Sequence, residues 1–216
     1  MYQPGHGRFT VDDPAAELAR LVETTPATLV TLGPDGLVAS ILPVLYDRGP
    51  DDGPLGTIRG HLARGNPQWR AFSGDVEALL IADGPDAYIS PGWYETKRRT
   101  GRDVPTWNYV TVHARGPLVV HHDSAWLEDV VRRLSDRHEA GRAHPWSVDD
   151  APRDYLESQL KAIAGVEIRL AALEAKRKLS QNRIAEDVAG VVAGLGAGTA
   201  EERAVAAEMG RETPRT

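Results

Sequence analysis

Short apolar segments separated by turn residues dominate the chain. Six segments share this pattern: 27–32, 37–46, 57–62, 75–82, 106–122 and 165–176. The first two flank the sequence GPDG at 33–36, and this turn chemistry predicts a β-hairpin. Segment 106–122 predicts a longer hairpin broken at Gly116-Pro117, and the other segments predict single strands.

Three further segments repeat their apolar positions with the period of a helix: 12–25, 124–140 and 178–195. In the first, Asp13 directly before Pro14 predicts a capped helix start. In the middle one, the residues expected to face inward are Trp126, Val130, Val131 and Leu134. The basic segment 97–103 is expected to be a loop. The pattern predicts a mostly β fold with helical additions, of the α+β class and arranged as a barrel. We expect residues 1–195 to form one domain, followed by a weakly ordered or helical tail at 196–216.

Composition narrows the possible functions. The 216 residues include 41% apolar positions, enough for a core, and the formal net charge of −6 argues against nucleic acid as a partner. Cysteine is absent, which excludes disulfides and thiolate metal sites and fits a reducing compartment. The first residues lack the apolar core of a signal peptide, and no apolar run is long enough to span a membrane. We therefore expect a cytoplasmic protein without a membrane partner.

The segment GTIRGHLARGNPQW at 56–69 carries the first candidate chemistry. On a strand, Arg59 and His61 share one face, which is opposite to the apolar face of Ile58 and Leu62. His61 is either a partly exposed structural histidine or an imidazole ligand of haem iron. In the second case Arg64 suits a propionate, since its planar fork binds two oxygens of a carboxylate or phosphate.

Two other segments carry candidate cofactor residues. Trp107, Tyr109 and His113 alternate on one face of a predicted strand, which suits a core, a planar ring system or a subunit interface. The segment KLSQN at 178–182 has two interpretations: Ser180 caps a helix, or Lys178 and the first backbone N–H groups of that helix bind an anion. No P-loop, dinucleotide fingerprint or nucleophile elbow occurs.

Five segments of the chain together carry a family signature: MYQPGHGRF, GHLARGNPQW, AYISPGWYE, VPTWNYVTVHARG and KLSQNR. They resemble the PaiB family, whose members are described as FMN-binding negative transcriptional regulators. The resemblance runs collinearly over about residues 1–195. It implies an FMN-binding split β-barrel that forms a homodimer, with the cofactor at the subunit interface and Trp107 and Tyr109 at or near that interface.

The resemblance leaves the cofactor open between haem b and FMN. Some PaiB-like proteins are piperazate synthases, which bind haem b and cyclise N5-hydroxy-L-ornithine to L-piperazic acid with loss of water. That branch implies His61 as the iron ligand, and it is our first functional expectation. The residues then expected at the cofactor are His61, Arg64, Asn66, Trp107, Tyr109, His113, Lys178, Gln181 and Asn182.

The synthase interpretation also needs residues that act on the substrate. Glu95 is the candidate base for the attacking α-amine, and Lys97 or Arg98 is the candidate partner of the substrate carboxylate. The alternatives are an FMN-dependent oxidoreductase and an FMN-binding PaiB-type transcriptional regulator. For the regulator, the basic segment at 97–102 would be the DNA contact.

Overall fold

The computed structural model describes residues 1–3 and 8–211; the predictions that fall on residues 4–7 and 212–216 lie outside the described residues. The strands are β1 Ala27–Gly33, β2 Gly36–Leu42, β3 Val44–Asp47, β4 Thr57–Ala63, β5 Ala78–Ile89, β6 Thr106–Gly116, β7 Leu118–His121, β8 Ile163–Arg169 and β9 Ala172–Lys178. The helices are α1 Pro14–Thr24, α2 Glu95–Thr100, α3 Ser124–Glu139, α4 Arg153–Lys161, α5 Ala185–Gly196 and α6 Ala200–Gly210. The strands form a five-stranded sheet in the order β2-β1-β5-β6-β9 and a four-stranded sheet in the order β3-β4-β8-β7.

The chain divides into two compact units. The first consists of Met1–Asp12, Asp83–Thr111 and Ala175–Thr216, and the second of Asp13–Ala82 and Val112–Glu174. No helix in the part of the chain that the structure describes has both the length and the apolar character needed to cross a bilayer.

Local sequence signals account for the start of the second unit. The Asp13 carboxylate accepts hydrogen bonds from the backbone N–H groups of Ala15 and Ala16, so it caps α1 at the position the sequence suggests. The predicted hairpin is confirmed as β1 and β2, which pair from Ala27–Leu42 to Gly33–Gly36. Gly36 has φ +118°, a conformation that favours glycine.

Helix α3 covers one face of the four-stranded sheet in the second unit. Its Val130 and Leu134 pack with Leu45 of β3, as the helical pattern predicts, and Trp126 packs against this cluster half-buried. On the neighbouring strand, the Arg59 guanidinium forms ion pairs with Asp47 at 2.6 Å, Asp52 at 2.8 Å and Glu167 at 3.1 Å. The positive charge on this strand is therefore neutralised by carboxylates beside the core.

In the first unit, α5 packs closely against the turn Pro91–Trp93. A Cβ atom at Gly190 would lie 2.1 Å from the Trp93 carbonyl oxygen, and one at Gly194 would lie 2.4 Å from the Trp93 indole. Two glycines one helical turn apart thus bring the helix backbone against a tryptophan.

Several sequence-based predictions of elements are wrong. The expected basic loop contains α2, because Glu95 begins a helical turn and pairs with Arg98 and Arg99. The expected hairpin of 106–122 does not form: β7 pairs with β8, and β6 belongs to the other sheet. The expected last strand is two strands, and the segment 75–82 begins as a turn and becomes the longer strand β5.

Candidate functional site

His61 lies on β4, in the second unit, and points to the face that the alternation predicts. It lines a pocket of about 240 Å³ together with Pro43, Val131, Leu134, Ser135, His138, Glu139 and Trp146. Its Nδ1 atom is buried and has no hydrogen-bond partner among the described residues. Burial lowers the pKa of His61, so the imidazole is neutral at neutral pH. A neutral imidazole with an unused nitrogen can accept a proton or a metal ion.

A second feature of this unit follows directly after β4, and we call it the Arg64 cluster: Arg64, Trp69, Arg70 and His122. The guanidinium carbons of Arg64 and Arg70 each lie 5.6 Å from the centroid of the Trp69 ring. Arg64 Nη2 is 3.4 Å from His122 Nδ1, and the His122 ring meets Trp69 edge to face at 5.3 Å. Within residues 1–3 and 8–211, neither arginine forms an ion pair with a carboxylate. The cluster therefore holds two unneutralised cations beside one flat ring.

Hydrogen bonds of Asn66 and Gln68 hold the turn that carries Arg64, Trp69 and Arg70. Asn66 accepts a hydrogen bond from the Gln68 N–H at 3.0 Å and donates to Ser40 Oγ at 2.7 Å. The buried Gln68 amide donates to the Leu29 carbonyl and the Thr31 hydroxyl, both at 3.1 Å. Asn66 thus has a structural role in the described chain, and hydrogen bonds hold the turn that follows Arg64.

In the first unit, three of the predicted cofactor residues come together. Lys178 Nζ donates to the carbonyl oxygen of Trp107 at 2.8 Å and lies 6.0 Å from the Tyr109 ring centroid. The Trp107 side chain is 47% exposed and donates from Nε1 to Asp86 at 2.8 Å. Burial lowers the pKa of Lys178, and the nearby positive charges of Lys176 and Arg183 lower it further. His113 lies half-buried further along β6, in the second unit.

The segment KLSQN does not begin a helix, so the predicted Ser180 cap and the predicted N–H groups of a helix start are wrong, whereas anion binding by Lys178 stays a prediction. Helix α5 begins at Ala185, and Ser180 has φ +67°. The Ser180 hydroxyl exchanges hydrogen bonds with the buried Asn108 amide instead, at 3.0 and 3.2 Å. Gln181 closes the same turn through the Leu179 N–H and the Arg177 carbonyl, and Asn182 is exposed.

The predicted substrate residues all lie on α2 in the first unit. Glu95 forms ion pairs with Arg98 and with Arg99, and Lys97 is exposed. Glu95 is therefore neutralised within its own helix, and its role as a base stays a prediction. Among the described residues, no group of three His, Asp or Glu side chains is arranged to hold a metal ion, so the predicted iron site depends on His61 alone.

Comparison with known proteins identifies the family. The family model described as "Putative FMN-binding domain" matches residues 1–172. The chain is 35% identical to the protease synthase and sporulation protein PAI 2 of Bacillus subtilis, over 89% of this chain and 87% of that protein. The chain belongs to this FMN-binding family. An uncharacterized protein of Aspergillus fumigatus is also similar to this chain, with 33% identity over 87% of this chain and 84% of that protein. The predicted PaiB resemblance is confirmed.

Solved structures confirm the predicted fold of this FMN-binding family member. Conserved hypothetical protein Rv2991 of Mycobacterium tuberculosis matches with a TM-score of 0.55 and 14% identity, covering 82% of this chain and 91% of its own. A protein of Mycobacterium smegmatis described as an FAD and heme binding protein matches with a TM-score of 0.52 and 17% identity, covering 81% and 76%. The flavocytochrome Anf3 of Azotobacter vinelandii also matches with a TM-score of 0.52 and 16% identity, covering 87% of this chain and 78% of its own. The mixed α+β architecture and the split-barrel class are thereby established.

Sequence reasoning did not identify three residues that lie beside the predicted ones: Arg70, His122 and Lys176. Arg70 lies in the same turn as Arg64 and contacts the same Trp69 ring. His122 joins Arg64 only through the fold, because β7 ends beside the turn that follows β4. Lys176 could have been found, since residues 176 and 178 share one face of a strand.

Proposed function

We propose that this family member binds FMN and places the flavin phosphate at the Arg64 cluster. FMN combines a phosphate dianion with a planar ring, so its site needs cations and a flat surface. Arg64 and Arg70 supply two guanidinium groups without a carboxylate partner among the described residues, and Trp69 supplies the flat ring. Neither guanidinium has a carboxylate counterion among the described residues, and a phosphate dianion would supply one. This pair of arginines is the observation that carries the proposal.

Bound FMN supplies hydride or single-electron transfer. We infer an oxidoreductase rather than a DNA-binding regulator for two reasons of charge. The chain carries a net charge of −6, which opposes binding to a polyanion. In the basic segment that would contact DNA, Arg98 and Arg99 already form ion pairs with Glu95. The pocket beside His61 supplies a place for a small substrate, with a neutral imidazole to donate or accept a proton.

Titration of the purified protein with FMN and with riboflavin tests the phosphate assignment, because riboflavin lacks the phosphate. We expect FMN to bind at least tenfold more tightly than riboflavin. Arg64→Ala and Arg70→Ala should each weaken FMN binding by about 10- to 100-fold, since a hydrogen bond to a charged group contributes about 1.5–3 kcal/mol. Arg102→Ala, at an exposed arginine on another segment, should leave the affinity unchanged. Equal affinity for the two flavins in all variants would contradict the assignment.

A haem-dependent synthase of L-piperazic acid is the second candidate, and the unpartnered Nδ1 atom of His61 favours it. The neutral imidazole suits an iron ligand. The pocket does not suit a porphyrin within one chain, because its 240 Å³ falls below the range of about 300–1,000 Å³ that is typical of ligand sites. Two proteins of similar fold, the Mycobacterium smegmatis protein and Anf3, are described as a heme binder and a flavocytochrome.

Reconstitution with haemin separates the two candidates. If the synthase assignment is correct, the protein gains a Soret band that His61→Ala abolishes and His144→Ala retains, and the loaded protein converts N5-hydroxy-L-ornithine to a product lighter by one water. If no Soret band forms, or if the haem-loaded protein leaves the substrate unchanged, the synthase assignment is wrong and FMN binding stands alone.

A further inference from the structure

A group of aromatic and basic side chains in the first unit lies outside the Arg64 cluster, and we call it the lysine cluster: Tyr2, Tyr109, Lys176 and Lys178. Lys176 Nζ lies 5.6 Å from the ring centroids of both Tyr2 and Tyr109. Lys178 Nζ lies 6.0 Å from the Tyr109 centroid. Two ammonium groups therefore share one tyrosine ring.

Lys176 is unusual because the residue is almost completely buried, with 7% exposed. Its ammonium donates to the Tyr2 carbonyl oxygen at 3.2 Å. It forms no ion pair with a carboxylate in the described ranges 1–3 and 8–211. A buried charge is costly unless it is paired, and the faces of two tyrosine rings recover only part of that cost.

Lys178 adds a second charge without a carboxylate partner among the same residues. Its ammonium is held by the Thr106 hydroxyl at 2.5 Å and the Trp107 carbonyl at 2.8 Å, which fixes its position and leaves one N–H free. Arg183 is close enough to act on Lys178 electrostatically, but Asp103 neutralises it through two hydrogen bonds of 2.7 and 2.8 Å. Two fixed positive charges thus remain.

We propose that the lysine cluster is a second anion site, which binds a phosphate monoester that carries a planar ring. The two lysines supply charge for the phosphate, and the exposed Tyr2 ring and the half-buried Tyr109 ring supply flat surface for the planar ring. The position of Lys178 is set by its neighbours before any ligand arrives, so little side-chain entropy is lost on binding. This site does not depend on the flavin assignment at the Arg64 cluster.

Titration of the full chain with phenyl phosphate, inorganic phosphate and phenol, followed by calorimetry, tests the proposal. We expect phenyl phosphate to bind, inorganic phosphate to bind more weakly, and phenol to show no binding. Lys176→Met and Lys178→Met should each weaken phenyl phosphate binding at least tenfold, whereas Lys161→Met, at an exposed lysine of α4, should leave it unchanged. Circular dichroism and the Tm of each variant confirm that it is folded. If Lys176→Met fails to fold, Lys178→Met and Tyr109→Leu decide the result.

Two controls separate this site from the flavin site. Arg64→Ala should lose FMN affinity and keep phenyl phosphate affinity. Protein saturated with FMN should still bind phenyl phosphate. If FMN displaces phenyl phosphate and Lys178→Met weakens both, the lysine cluster is the flavin phosphate site and the proposal of a second site is overturned. Absence of phenyl phosphate binding to the wild-type chain at millimolar concentration overturns it as well.

Discussion

Arg59 and His61 lie two residues apart on β4 and differ in whether their polar groups have partners. The guanidinium of Arg59 has three carboxylate partners. Burial alone would raise the pKa of Asp52, but hydrogen bonds from the Gly49 N–H and from Arg59 outweigh it and lower that pKa. His61 Nδ1 has no partner among the described residues, although it lies on the same face of the strand. An unsatisfied buried nitrogen costs stability, which a chain tolerates most readily where the group serves binding or catalysis.

The burial of His61, which disfavours the protonated imidazole, makes the stability of the protein depend on pH. Because burial lowers the pKa of the folded-state imidazole below its unfolded value of about 6.5, the unfolded chain binds more protons as the pH falls. The contribution of His61 is present above about pH 6.5 and is lost as the pH falls through the folded pKa. We expect the change in Tm between about pH 7.5 and about pH 5 to be smaller in His61→Gln than in the wild type. His144→Gln, at an exposed histidine, should show the same change in Tm as the wild type. An equal change in Tm in all three proteins would contradict the pH-dependent contribution of His61.

The candidate site was only partly predictable at the level of single residues. Alternation along β4 was sufficient to predict the direction of His61, because that strand has one apolar face. The partners of Arg64 were not predictable, since His122 is far away in sequence and its position depends on which strand pairs with β8. The conformation of Ser180 was missed because its buried partner Asn108 lies on another strand, and that interaction replaces the helix cap that the local sequence favours.

At the level of elements, the packing of α5 on Trp93 explains why this helix contains glycine at 190 and 194, although alanine has the higher helix propensity. Alanine is better than glycine in a helix interior by about 1 kcal/mol. A Cβ atom at Gly194 would lie within 2.4–2.6 Å of three indole atoms, so the gain in helix propensity is opposed by a steric clash. Gly196 ends the same helix, and a Cβ atom added there would meet no atom within 4 Å, which makes it a matched control.

We expect Gly194→Ala to lower the free energy of unfolding by about 1–3 kcal/mol, the usual cost of inserting a methyl group into a packed contact. Gly196→Ala should leave stability unchanged or raise it by up to about 1 kcal/mol. Urea denaturation followed by circular dichroism measures both. Trp93→Ala should relieve the clash, so the double variant should be destabilised by less than the sum of the single variants. Equal stabilities of Gly194→Ala and Gly196→Ala would show that the contact is loose.

Element prediction succeeded where local chemistry decides and failed where tertiary pairing decides. The hairpin turn at Gly36 and the cap at Asp13 act over a few residues, and both were correct. The pairing of β7 with β8 depends on contacts between segments far apart in sequence, so the adjacent strand β6 looked like the natural partner. The helix α2 was missed because charged side chains and a following glycine are also typical of loops.

At the scale of the whole molecule, β2 is an edge strand with an apolar exposed face. It ends the five-stranded sheet, and its Leu37 and Ile41 side chains are 77% and 73% exposed. Edge strands of soluble proteins usually carry charges or prolines that prevent pairing with other chains. The sequence GLVASIL of β2 contains neither. We propose that a second copy of this chain covers the strand, which agrees with the homodimer that the family resemblance implies.

Size-exclusion chromatography with light scattering tests this proposal. The wild-type chain should have twice the mass of 23.5 kDa at micromolar concentration. Ile41→Lys, alone or with Leu37→Lys, should shift the population to the monomer, because a buried interface does not accept an unpaired ammonium. Tyr155→Lys replaces another large apolar side chain, 57% exposed on α4, and should leave the dimer intact. A monomeric wild type would contradict the homodimer itself. A dimer that survives both lysine substitutions would instead move the interface away from β2, to the exposed face of β6 that carries Trp107 and Tyr109.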